Sequence, residues 1–373
     1  MKEGWEYRIF ESCLVKVSKQ VQVKSKDYKK EGKYPIVSQE AELISGYWDD
    51  DSIVYNHQDP VVIFGDHTKN IKYIDFNFVV GADGTHILST KNDIIPKYFY
   101  YALKSIKLRD LGYARHYKLL KEKYIPVPPL SEQQSIVEFL DSAFAKIDAM
   151  KVNAEKALNE AKVLFQASLK EMFEPKEGWE ENDLKDIVHS NCPISYGIVQ
   201  QGDHVEGGIP VVRPVDLNKK YITVDNLKCT TQSISSSYKR TILRGDEILL
   251  GVRGTTGIVG LATIELKGCN VNRGIVPLYF KDTICRDFIF YEMLSPAMQS
   301  VFAEKTTGST LKQLNIKDLR NIIISYPSIQ EQQSIVTTLD ALKPKVDRLQ
   351  ANYDKISQEC VALKQAILRQ VFE

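Results

Sequence analysis

SEQQSIVEFLD at Ser131–Asp141 returns as QEQQSIVTTLD at Gln330–Asp340, at a constant offset of 199 residues. Eight of the eleven positions are identical, among them Gln133, Ile136, Leu140 and Asp141. The register continues without a gap to the chain end, pairing Leu164 with Leu363, Leu169 with Leu368 and Phe173–Glu174 with Phe372–Glu373. Upstream, KEGWE at Lys2–Glu6 recurs at Lys176–Glu180. Self-similarity on this scale has to be resolved before any other reading of a chain. Each copy is a globular segment followed by a helix, so the chain can fold with pseudo-twofold symmetry. That suits a molecule that touches two similar targets.

Proline cannot continue a strand ladder and disfavours helix just before it. Pro128–Pro129 and Pro327 therefore close extended segments at Tyr124–Val127 and Asn321–Tyr326. Capping-box pairs follow, Ser131 with Gln134 and Ser328 with Glu331, and each predicts a helix start. Apolar positions then recur by sevens. Copy one offers Ile136, Ala143, Met150, Ala157 and Leu164 beside Leu140, Ile147, Ala154 and Ala161. Copy two offers Ile335, Leu342, Leu349, Ile356 and Leu363 beside Leu339, Val346, Tyr353, Cys360 and Ile367. Such heptads with polar faces between them specify a coiled coil. The alanine-rich seam complements the bulky one, which predicts an intramolecular antiparallel pair. Pro344 stands where copy one has Ala145, and an interior proline kinks or breaks a helix. The uninterrupted rod is expected to start near Pro344, about 29 residues and roughly 43 Å long.

The remaining 1–127 and 176–326 are each long enough to bury a core. Strand signals in the first are Tyr34–Val37, Pro60–Phe64, Phe76–Val80 and Thr85–Leu88, with a helix at Pro96–Ile106. In the second they are Ile209–Arg213, Tyr221–Val224, Glu247–Leu250, Gly257–Ala262 and Gly274–Phe280, with a helix at Asp287–Ser295. Between their repeated ends the two interiors diverge, as expected of two binding units with different targets.

The bulk numbers exclude several classes. Met1–Phe10 lacks an apolar signal-peptide core, and no apolar run reaches the roughly 18 residues of a membrane span, so a cytoplasmic protein without membrane contact is expected. Six scattered cysteines form no zinc-ligand pattern and read as small apolar thiols. A net charge of +1 argues against a free-standing basic nucleic-acid binder. Locally, Lys16–Lys33 carries seven lysines, which form either a solvated face or a set of phosphate contacts. There is no phosphate loop, no H-E-x-x-H and no G-x-S-x-G, and Asp66–His67 stands alone as an acid–base pair. No complete catalytic constellation is present.

The polar loops are therefore read as contact surfaces. Arginine, lysine, asparagine and glutamine present paired donors or acceptors to base edges, although glycine- and aspartate-rich loops can equally be plain turns. The first unit supplies His67, Thr68, Lys69, Asp83, Arg115, His116, Tyr117 and Lys118 as DNA-binding candidates. The second supplies Arg213, Arg253, Thr255, Thr256, Asn272, Arg273, Lys312 and Gln313.

Across essentially its whole length the chain resembles the DNA-specificity subunits of type I restriction–modification systems. PPLSEQQSIVEFLD at Pro128–Asp141, its copy at Pro327–Asp340 and the EGWE opening each globular unit carry the resemblance. RTILRGDEILLGVRG (Arg240–Gly254) and ARHYKLLK (Ala114–Lys121) resemble target-recognition segments of that family. The resemblance implies an α+β architecture of two α/β target-recognition domains, separated by two long antiparallel coiled-coil helices in a pseudo-twofold tandem repeat. The expected divisions are 1–127 and 176–326 for recognition, with 128–175 and 327–373 as spacer helices. Each domain would read one half of a bipartite site in double-stranded DNA. The helices would dock two modification (methyltransferase) subunits, and restriction subunits would complete the complex. No cofactor is expected in this chain: S-adenosylmethionine, ATP and Mg would reside on the partner subunits. Other readings remain open: a coiled-coil protein-interaction scaffold, an enzyme without a recognisable motif, or a specificity subunit serving a fused methyltransferase–nuclease.

Overall fold

The computed structural model describes residues 4–112, 114–309 and 311–373. Lys2 and Glu3 of the first KEGWE, and Thr310 in the last polar loop of the second unit, lie outside the described residues. The fold comprises two compact units, Met1–Glu155 with Tyr353–Glu373, and Lys156–Asn352. The long helices, Leu130–Met172 and Ile329–Phe372, are both divided by this partition. Each unit holds the first half of its own repeat's helix and the second half of the other repeat's helix.

The two halves run antiparallel within each unit. In the first, Val137 and Leu140 share a core with Leu368 and Phe372, while Cys360 Sγ donates to the Ile147 carbonyl at 3.5 Å. In the second, Phe165 and Leu169 share a core with Leu339, and Lys162 Nζ donates to Gln350 Oε1 at 2.8 Å. One seam is displaced from expectation. Met150 and Leu164 are 57% and 68% exposed, and the buried line runs one residue later through Val137, Leu158 and Phe165. These helices must seat on globular cores as well as on each other, so the larger side chains go inward. Adjacent apolar residues at 136 and 137 left that phase open. Leu363 in the second helix is likewise exposed.

The second helix also passes through Pro344 without a break, contrary to the expected interruption. Leu339 is buried and Leu342 and Val346 pack on the same core, bracketing the proline. Leu339 is fully buried and the other two partly so, and at about 1.5–3 kcal/mol per fully buried side chain their packing is of the size needed to offset a proline cost of about 3 kcal/mol. Helix starts differ from expectation in copy one only. Ser328 Oγ accepts the Glu331 amide at 3.4 Å, whereas Ser131 lies inside its helix and the Pro129 carbonyl takes the Glu132 and Gln133 amides.

The repeated glutamines explain the motif that opens each helix. Gln133 and Gln332 are both fully buried. Gln133 Oε1 accepts the Ile95 amide at 2.8 Å, and its Nε2 donates to the Asp93 and Pro128 carbonyls. Gln332 does the same with the Cys285 amide and the Thr283 and Pro327 carbonyls. About two turns later, Asp141 and Asp340 accept the hydroxyls of Tyr101 and Tyr291, each at 2.5 Å.

The globular parts share a plan. An opening strand pairs antiparallel with the strand that leads into the long helix, Glu6–Ile9 with Tyr124–Val127 and Glu180–Asp183 with Ile323–Tyr326. In the first unit Val61–Gly65 lies between Ile71–Ile74 and Thr85–Thr90. In the second, Ile248–Gly251 lies between Val259–Ala262 and Ile275–Leu278. Helices Pro96–Ser105 and Arg286–Leu294 are buried against these sheets. Second sheets join Tyr34–Val37 in parallel to Phe78–Gly81, and Ile209–Val212 in parallel to Asn270–Val271.

Candidate nucleic-acid interface

Where the central strand of each unit ends, three polar segments are tied together by the same backbone bonds. In the first unit the Asp66 amide donates to the Gly84 carbonyl, and the His116 amide donates to the Asp66 carbonyl, both at 2.8 Å. In the second, the Val252 amide donates to the Gly274 carbonyl at 2.8 Å, and the Leu314 amide to the Val252 carbonyl at 2.9 Å. Asp66 and Val252 are therefore equivalent, as are Gly84 and Gly274, and His116 and Leu314. A side chain at Gly84 would be strained by its positive φ of 85°, and at Gly274 a Cβ would lie 2.7 Å from the Pro214 ring.

Asp66 is the hub of the first site. Its Oδ1 accepts the Tyr117 amide at 2.7 Å, and His86 Nε2 lies 3.3 Å from Oδ2, close enough for an ion pair but not aligned as a hydrogen bond. Burial pushes this carboxyl up, but the Tyr117 amide and the His86 imidazole outweigh it and hold Asp66 below the usual carboxylate range. The Tyr117 ring stacks on His86 with centroids 4.0 Å apart. Gln39 braces two loops, accepting the His67 amide at 3.0 Å and donating to the Asp83 carbonyl at 2.8 Å. Thr68 Oγ1 donates to the Gln39 carbonyl, and Lys69, at a positive φ of 61°, pairs with Asp110 at 3.0 Å. Asp83, Arg115 and Lys118 are exposed. Beside them an open groove of about 950 Å³ is lined by Lys19, Lys24 and Lys26 together with Gln39 and Asp83.

His116 is corrected from the sequence reading. It is fully buried, its Nδ1 lies 3.0 Å from the Asp66 carbonyl, and its Nε2 accepts the Leu111 amide, so the ring is a structural strut. Arg213 is held in place by Asp216, to which its Nε and Nη2 donate at 3.1 and 2.9 Å. Asn272 Oδ1 is engaged by the Gly274 amide, and Thr256 Oγ1 by Thr306.

Arg253, Arg273 and Gln313 are brought together. With Tyr196 and Val199 they line a small depression of about 130 Å³. Gln313 Nε2 donates to Tyr196 Oη and to Asn315 Oδ1, both at 3.2 Å, and a backbone bridge sets Arg253 opposite Gln313. Thr255 and Lys312 are exposed at the rim of the same loops, and the Lys312 carbonyl accepts the Gly254 amide at 2.9 Å. Gln39, Tyr196 and Val199 were not singled out from sequence. They sit in segments with no motif, and only the fold carries them to the site. Among the described residues no group of three or more His, Cys, Asp or Glu is placed to hold a metal, and no helix is long and apolar enough to cross a membrane.

The model of the type I restriction modification DNA specificity domain matches residues 2–160 and again 176–358. The chain belongs to this family. It is 28% identical over 281 residues to the type I restriction enzyme EcoBI specificity subunit of Escherichia coli, covering 68% of this chain and 59% of that protein's length. A chain from a structure describing complex assembly and conformational transition of a type I restriction–modification system shares the fold, with a TM-score of 0.70 at 19% identity, covering 100% of this chain and 98% of that one. The HsdS subunit from Thermoanaerobacter tengcongensis matches with a TM-score of 0.51 at 18% identity, over 99% of this chain and 97% of that one. Two copies of one family domain on one chain account for the doubled sites.

Proposed function

We propose that this chain is the sequence-specific DNA-recognition subunit of a type I restriction–modification complex, with each globular part reading one half of a bipartite duplex site. The observation that carries the reading is the duplicated three-segment site: one backbone frame, built twice, presenting different side chains. The exposed members of the candidate set reach bases or phosphates. The lysines at 19, 24 and 26 track the backbone, where contacts position a protein without reading sequence.

The functional divisions follow the repeat: 1–127 and 176–326 recognise DNA, while 128–175 and 327–373 space them and dock two modification subunits. Apolar side chains left on the helix surfaces support such docking, since Phe139, Val152, Val163 and Val361 are each more than half exposed. Restriction subunits join the same assembly in the cytoplasm. The chain itself is non-catalytic, and S-adenosylmethionine, ATP and Mg are bound by its partners.

The test compares purified chain with chain co-expressed with its modification subunits. The chain alone is expected to bind specific duplex weakly and to transfer no methyl group from S-adenosylmethionine, whereas the complex methylates a two-part motif. Robust methylation by the chain alone would contradict the reading.

A further inference from the structure

The bonds that equate Asp66 with Val252, Gly84 with Gly274 and His116 with Leu314 also equate their neighbours. All of Asp66, Val252, His116 and Leu314 are 3% exposed or less. The chain neighbour of each tied residue is, by contrast, half-buried or exposed. The equivalent neighbours are 67 and 253, 83 and 273, 115 and 313. The first unit places His67, Asp83 and Arg115 there, and the second places Arg253, Arg273 and Gln313. These three positions carry the largest chemical difference between the two frames.

Resting on the DNA-recognition reading above, we propose that Arg253 and Arg273 are specificity-determining residues that select guanine in the half-site read by the second unit. Neither guanidinium has an ion pair or side-chain hydrogen bond among the described residues. Four other arginines of the same unit are engaged: Arg213 holds Asp216, Arg244 donates to the Asn191 carbonyl, Arg286 pairs with Asp287 and Arg320 donates to the Ile194 carbonyl. Two unpaired planar forks sharing one depression form an array of donors without acceptors. Guanine offers the matching pair of acceptors, O6 and N7, on its major-groove edge. Gln313 does not compete for them, because its Nε2 donates to Tyr196 and Asn315, and it serves to position the Arg253 loop across the backbone bridge. In the first unit Asp83 occupies the place of Arg273. A carboxylate accepts from cytosine N4 and repels a phosphate, so the two halves are chemically distinct readers.

The experiment uses the full chain in complex with its modification subunits. Methylation mapping defines the motif, and exchange of residues 176–326 for a relative's segment identifies the half read by the second unit. Guanines in that half are then replaced singly by 7-deazaguanine, which lacks N7 but keeps its base pairing. Binding of the unsubstituted complex is expected to fall about tenfold or more at one or two of them. Arg253→Ala or Arg273→Ala is expected to abolish that sensitivity and to relax the motif at the same position, with the other half unchanged. A half-site without any G·C pair, or full tolerance of 7-deazaguanine, would overturn the inference while leaving DNA recognition intact. Arginine variants that weaken all sequences equally would assign the pair to phosphates and overturn it likewise. Failure of the unsubstituted complex to methylate any two-part motif would remove the recognition reading itself.

Discussion

Glu292 is a carboxyl group inside the second unit's core, with one oxygen lacking a hydrogen-bond partner among the described residues. Burial pushes its pKa up to about 8, against a smaller opposing effect of the Ser325 amide. The proton is held more tightly in the folded state than in the unfolded chain, whose ordinary value is near 4.5. The stability this group contributes is therefore complete below about pH 4.5 and is lost as pH rises towards 8, a span worth on the order of 3–5 kcal/mol. Glu292→Gln is expected to flatten that decline: urea unfolding of the variant should match the parent at pH 4.5 and exceed it at pH 8. The first unit carries Ala102 at the equivalent place, seven residues after the amide bound by its buried glutamine, so the fold itself does not need the carboxyl. Individual site residues were only partly legible in the sequence. Arg253, Arg273 and Arg115 could be named because their chemistry suits bases. Their neighbour His116 looked equally suitable, and only burial distinguishes it. Loops lack the periodicity that tells inward from outward, and that distinction had to come from backbone bonds between segments far apart in sequence.

At the scale of elements, the repeated helix motif was legible as a helix start but not as a clamp. Gln133 and Gln332 each satisfy two carbonyls and one amide at the joint between globular core and helix, which explains their recurrence better than helix propensity does. Leaving three buried backbone groups unpartnered costs about 1–3 kcal/mol each. Gln332→Ala is thus expected to destabilise the second unit by several kcal/mol and Gln133→Ala the first, as read by thermal unfolding; an unchanged melting temperature in either would contradict the clamp. The strands came through well because short β-rich runs bounded by turn residues mark themselves, as at Tyr34–Val37. The heptad phase came through poorly, because apolar residues on neighbouring lines fit two seams and only the packing decides. Pro344 was read as a break because local propensity was weighed without the burial that flanks it. Pro344→Ala should restore a backbone bond to Asp340 and stabilise the second unit by up to about 3 kcal/mol in denaturant unfolding. A destabilised variant would show that the proline's shape is needed there.

For the whole molecule, the tandem repeat was the most legible feature, and the exchange of helix halves between units the least, since it depends on which surfaces meet in three dimensions. Two consequences belong at this scale. Neutralising Lys19, Lys24 and Lys26 should weaken DNA binding evenly across sequences and reduce the salt dependence by about one unit of slope per lost phosphate contact. Removing one heptad from each helix, Ala154–Glu160 and Tyr353–Glu359, keeps the antiparallel register and shortens the helices by about 10.5 Å, or about 3 bp of duplex. The shortened protein should prefer a correspondingly shorter spacer with unchanged half-sites. The most direct test of the central claim is methylation mapping of the complex after residues 176–326 are replaced by the corresponding segment of a relative with a different target. One half of the motif is predicted to change while the other half and the spacer persist. A motif that changes in both halves, or in neither, would contradict the assignment of one half-site to each unit.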